Sequence, residues 1–143
     1  MFIPLLKRLT MKYYLLALKR YGQFTGRANR SEYWYFMLFH IIFLVAAVVL
    51  DNALGFAFAD TPYGIIYVVY SLVLLVPGLA VMVRRLHDIN KSGWNVLISI
   101  IPLVGSIWII VLLATKGTVG ENRYGPDPNG ELLFDFEEGV QHS

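Results

Sequence analysis

Two short stretches gather side chains whose types could do chemistry. "GRANRSE" supplies Arg27, Arg30 and Glu32, and "RRLHD" supplies Arg84, Arg85, His87 and Asp88. Guanidiniums and carboxylates form charge-assisted pairs with each other, and unpaired guanidiniums take phosphates. Histidine beside aspartate could serve acid–base work or ligate a metal. Here no nucleophile accompanies them, and two adjacent residues do not converge on one ion without further ligands. The chain has no cysteine, which removes disulfides, thiolate chemistry and Cys-ligated metals. It has no HExxH, GxSxG, P-loop or dinucleotide-binding glycine pattern. No metal and no cofactor is expected, and catalysis ranks below binding.

The elements that must hold these residues are apolar. Of 143 residues, 57% are hydrophobic and 15% charged, with a mean hydropathy of +0.57. Soluble domains carry about 25% charge. The expectation is therefore an all-α integral membrane bundle. Uncharged runs at 33–50, 61–83 and 92–115 contain 18, 23 and 24 residues, and about 20 residues of helix cross a bilayer core. Three spans are expected. Pro102 and Gly105 interrupt the third run, which leaves two forms open, a kinked spanning helix or a re-entrant hairpin. The spanning form is preferred because irregular backbone at membrane depth needs cover that a small bundle hardly provides.

Basic residues orient the chain. Seven lie before the first run, and Arg84, Arg85 and Lys91 follow the second. The connector from Asp51 to Asp60 has none. The N-terminus is accordingly expected in the cytoplasm, and a third span would carry the tail outside. The chain divides into a basic segment (1–30), a membrane domain (31–115) and a turn-rich, then acidic tail (116–143), disordered toward Ser143. Within the first segment, Phe2, Leu5, Leu6, Leu9, Tyr13 and Leu16 share one helical face and Arg8, Lys12 and Lys19 another. That pattern predicts an amphipathic helix in the headgroup layer.

On this topology both charged stretches share the cytoplasmic face. Asn29 is placed to cap a helix beginning at Arg30, with Glu32 reaching back to complete a capping box. Glu32 can meet Arg84 or Arg85, and Asp88 can meet Arg27 or Arg30. The cluster is then an inter-helix clasp or a lipid-headgroup site. His40 lies about 10 Å into the first run. The carbonyl of Val73, freed by Pro77, and the Ser71 hydroxyl are its expected partners.

Three segments, "YGQFTGRANRSEYWYF", "RRLHDINKSGW" and "GENRYGPDP", resemble in order and spacing the bacterial inner-membrane family catalogued as domain of unknown function 805. The resemblance runs from about Met11 to Pro128. It implies a small multi-pass protein of the cytoplasmic membrane, with no established activity. By motif it carries over Gly26, Arg27, Arg30, Tyr33 and Trp34; Arg84 to Asp88, Gly93 and Trp94; and Asn122, Arg123, Tyr124, Gly125 and Pro126. Members of the family begin near the position of Met11, so the first ten residues are an extension or Met11 is the start. The expected role is non-enzymatic contact with membrane lipids, anionic headgroups included, or with a second copy or another membrane protein. The alternative is a subunit of an oligomeric transporter or channel with His40 on its path. Nucleic acid is excluded, since the basic patch is short and adjoins a membrane.

Overall fold

A computed structural model describes residues 2–130, with side chains described from residue 11. The disorder expected toward Ser143 lies outside the described residues. So do the side chains of Phe2, Leu5, Leu6, Arg8 and Leu9. Among the described residues, the α-helices α1 (Phe2–Lys19), α2 (Arg30–Leu54), α3 (Ile65–Asp88) and α4 (Val104–Ala114) are joined by loops and a 3-10 helix, Gly93–Ile100. The chain is a small all-α membrane bundle.

The centre of the fold is an antiparallel hairpin of α2 and α3. Both helices are long and apolar enough to cross a membrane. At 1.5 Å per residue each measures roughly 36–38 Å, several ångströms more than a bilayer core. Helix α2 begins and ends a few residues beyond the expected run 33–50, whereas α3 begins four residues inside its run of 61–83 and ends five beyond it; polar groups and a glycine set these ends. Asn29 accepts the Glu32 amide at 2.8 Å to start α2, and Gly55, with φ 74°, ends it. The start of α3 has no side-chain cap of its own. Asp51, fully buried at the far end of α2, instead accepts the amides of Ile66 and Tyr67, each at 2.9 Å. Most large apolar side chains of both helices point outward, the distribution for a helix whose surroundings are lipid.

Helix α1 packs on this hairpin through Tyr14 and Ala17, both buried. Tyr14 contacts the rings of Phe36, Phe39 and Phe43 at centroid distances of 5.4–5.7 Å. The buried line thus sits one residue on from the expected Tyr13–Leu16 stripe, a rotation of about 100°. The aromatic wall of α2 sets this rotation, which the periodicity of α1 alone does not encode.

The third apolar run is not one spanning helix. It folds as the 3-10 helix, a turn at Ile101–Leu103, and α4. Pro102 lacks a donor and holds Ile101 extended (φ −73°, ψ 116°). Leu103 follows at φ 60°. Gly105 then comes so close to the Ile98 carbonyl that a Cβ there would lie 1.9 Å from its oxygen. Both ends of the run lie beside the C-terminal end of α3: Gly93 rests on the Val83 side chain, and Arg85 donates to the Leu113 carbonyl at 3.0 Å. The cover that the irregular tip requires comes from the tip itself. Ile101, Val104 and Gly105 donate to Ile98, Pro102 and Ile101 carbonyls at 2.7–3.1 Å.

Candidate functional site

Because the third run doubles back, residues 116–130 reach the end of the hairpin where the two charged stretches meet. Arg27 follows Gly26 in the loop before α2, Glu32 lies in the first turn of α2, and Arg84, Arg85, His87 and Asp88 close α3. Arg27, Glu32, Arg84, Arg85 and Asp88 are all under 5% exposed. Three cations and two anions therefore sit out of solvent, an excess of one positive charge. Ions so placed are costly unless paired and hydrogen-bonded.

Asp88 is the hub. Its Oδ1 receives Arg27 at 3.0 Å, and its Oδ2 receives Arg85 Nη1. Glu32 pairs with Arg84 Nη1. The Glu32 carboxylate is thereby drawn across to α3 and does not reach back to Asn29, so the capping box is half formed. Arg84 Nε and Nη2 have no protein partner among the described residues. Arg30 lies outside the cluster, exposed at the first turn of α2.

The two hub arginines also hold backbone. Arg27 Nη1 donates to the Gly120 carbonyl at 2.6 Å and the Gly125 carbonyl at 3.3 Å, and Nη2 donates to Thr118. With Nε on Asp88 and Nη2 at ion-pair distance from the same oxygen, all three guanidinium nitrogens are engaged. Arg85 Nε and Nη2 take the carbonyls of Leu113 and Thr115, the last turn of α4, where cations complement the helix dipole. Thr118 returns an amide to the Asp88 carbonyl at 2.8 Å. Gly117 permits this approach, because a Cβ there would lie 2.1 Å from Asp88 Oδ2.

The tail turn locks onto His87. Asn122 donates to the His87 carbonyl at 2.9 Å and accepts the Tyr124 amide at 2.8 Å. The rings of His87 and Tyr124 stack at 3.9 Å and 4°. His87 Nδ1 lies 3.0 Å from the Gly26 carbonyl, which fixes Nδ1 as the protonated nitrogen. Arg123 covers the outer face of Tyr124 at 4.8 Å, and Gly125 pairs with Asn122 in a backbone bridge. Asp127 closes the turn. Slight burial pushes its carboxyl up, but amides of Asn129 and Gly120 and the nearby Arg27 outweigh this and hold it below the usual carboxylate range. No cluster of three or more potential metal ligands exists among the described residues.

His40 stands apart, half-buried in the hairpin. Its Nδ1 is 3.2 Å from the Tyr70 hydroxyl, and its ring stacks between Phe36 and Tyr70. Neither expected partner is used. Tyr21 takes the Val73 carbonyl at 3.0 Å, and Ser71 bonds to the Tyr67 carbonyl of its own helix. Asp51 and Tyr21 escaped the sequence reading. The one available signal for Asp51 was an acid closing a long apolar run, with glycine at the start of the next helix.

A family model described as protein of unknown function (DUF805) matches residues 21–126, which include nearly all of the three motif segments. Inner membrane protein YhaH of Escherichia coli (strain K12) is 46% identical over 121 residues, covering 85% of this chain and 99% of YhaH. Inner membrane protein YhaI of the same strain is 41% identical over 118 residues, covering 82% of this chain and 96% of YhaI. No solved structure matches.

Proposed function

From the premise that this inner-membrane chain belongs to the DUF805 family of proteins of unknown function, we propose a non-enzymatic membrane module. It acts through contacts with lipids or other membrane proteins. One observation carries this reading: the buried charges Arg27, Glu32, Arg85 and Asp88 are spent on each other, on Arg84 and on backbone carbonyls, while Arg30 stays exposed outside the cluster. Asp88 has both oxygens in ion pairs, and His87 donates from Nδ1 while its ring serves as a stacking surface. Groups committed in this way hold a shape and have little left with which to turn over a substrate.

The same reading gives a topology of two crossings, α2 and α3, followed by a re-entrant hairpin, with both termini in the cytoplasm. Charge supports it. All twelve Lys and Arg then fall in the N-terminal segment, the 84–91 region or the tail, and the connector between α2 and α3 has none. A distribution of twelve to none is the extreme of the positive-inside bias. Reporter fusions at Ser143 test it: a cytoplasmic signal is expected, and an external one overturns the re-entrant assignment.

A transport role has one observation in its favour, the His40–Tyr70 polar pair inside an apolar hairpin. Reconstituted vesicles separate the readings. Silence across a panel of ions and small solutes is expected, and flux that His40→Ala abolishes would replace the module by a transporter subunit.

A further inference from the structure

Two hollows meet at the first turn of α2. One is a polar recess of about 160 Å³, whose lining includes Arg30, Ser31, Lys116, Thr118, Asp88 and Asp127. The other is an apolar groove of about 810 Å³ that runs from the same Arg30 and Ser31 past Trp34, Leu38 and Ile41 and alongside Ala114. Resting on the lipid-contact reading above, we propose that together they form one binding site for an acidic phospholipid, with the headgroup in the recess and an acyl chain in the groove.

The charge inventory of the recess picks the headgroup. Four charged residues line it. Asp88 has both oxygens in ion pairs with Arg27 and Arg85, and Asp127 accepts the amides of Gly120 and Asn129. Arg30 and Lys116 are exposed, and neither has an ion pair among the described residues. The uncommitted charge in the recess is therefore positive, backed by a buried cluster that itself carries one excess cation. A phosphate with a neutral headgroup complements it. A quaternary ammonium finds both carboxylates already engaged.

The groove picks a lipid over a free phosphate. Arg30 to Ile41 is eleven residues, roughly 16 Å of helix, about half of a 30 Å hydrocarbon core and so the depth of one leaflet. Ser31, Trp34, Leu38 and Ile41 follow one another at helical spacing along this wall. Trp34, 42% exposed and one turn inside Arg30, occupies the interfacial level where tryptophan is favoured. The polar and apolar parts of the site are thus in the order, and at the separation, of a phospholipid.

Trp34 also provides the readout. In the full chain carrying Trp94→Phe and Trp108→Phe it is the only one of three tryptophans left. Its fluorescence is measured in phosphatidylcholine vesicles doped with either phosphatidylglycerol or phosphatidylcholine bearing brominated acyl chains. Two cationic contacts predict about a thirtyfold preference for quenching by the acidic lipid. The preference should vanish in Arg30→Gln/Lys116→Gln, persist in Arg30→Lys/Lys116→Arg, and persist in Lys19→Gln/Lys91→Gln, which removes equally exposed charges elsewhere. Unchanged helicity of each variant confirms that its fold is intact. Equal loss of preference in the two glutamine pairs overturns the site and leaves general lipid contact standing. Equal quenching by both lipids in the parent does the same. Quenching by neither means that protein, either a second copy or the chain's own tail, covers the groove, and it overturns both readings at this face.

Discussion

The α2–α3 hairpin is closed at each end by a buried carboxylate. Asp51 stands alone and is stabilised by two backbone amides at the start of α3, so the positive end of a helix serves as its counterion. At the other end Asp88 is surrounded by full charges, with Arg27 and Arg85 on it and Glu32–Arg84 alongside. The difference follows from what each end must join. Asp51 connects neighbours across a fifteen-residue separation, and partial charges suffice for that. The opposite end gathers three distant segments, and a guanidinium with five donors can hold several carbonyls at once.

The sharpest way to break this contrast is Asp88→Asn, which leaves two buried guanidiniums short of a carboxylate. Removing one partner of a buried pair costs about 3–5 kcal/mol. The variant is expected at or beyond the top of that range, read as lost helicity in a denaturant titration of the purified chain. Stability within 1 kcal/mol of the parent, on a scale where buried pairs matter at several, would show the hub to be dispensable. Glu32→Arg and Arg84→Glu come next, each losing about 3 kcal/mol or more. The double exchange should recover part of the sum, and a double variant no better than its worse parent would dissolve that pair.

Asp51→Ala is expected to cost less, about 2 kcal/mol, the upper range for losing a helix cap. Hydrogen exchange should quicken at Ile66 and Tyr67 and stay unchanged at Thr118. Faster exchange at Thr118 would mean that the two ends are not independent. The smallest effect concerns pH. The Asp127 carboxyl is held below its usual range, so its contribution to the tail turn is complete above the unfolded carboxylate pKa and is lost as pH falls through the lower folded value. Exchange at the Gly120 and Asn129 amides should accelerate relative to their neighbours on acidification, and Asp127→Asn should remove that dependence.

Parts of this arrangement are legible in the sequence because they are local or scarce. Asn29 followed by an apolar run marks the start of α2, and run length alone identifies the two long helices. Charges are so few beside the membrane that Glu32 has almost no partner to choose except Arg84 or Arg85. The third run is not legible in the same way. Proline and glycine at Pro102 and Gly105 signal a break, but whether the chain continues or returns depends on hydrogen bonds that the tip makes only once it has turned. His40 is another case. Depth counted along a helix puts it level with Val73, yet the loop after α1 brings the Tyr21 hydroxyl to that carbonyl first. The burial of Asp51 depends likewise on a turn that must close before its partners are near.

Arg27 has a consequence for the order in which the protein is made. Its partners Asp88, Thr118, Gly120 and Gly125 lie 61, 91, 93 and 98 residues downstream. The arginine emerges early in synthesis and stays hydrated at the membrane surface until nearly the last motif appears. Contacts at such separation form late. A chain broken off before Thr118 has both helices of the hairpin and the carbonyls that occupy Arg85, and lacks those that occupy Arg27. Its cytoplasmic end stays open, so completion of the tail and closure of the fold are one event.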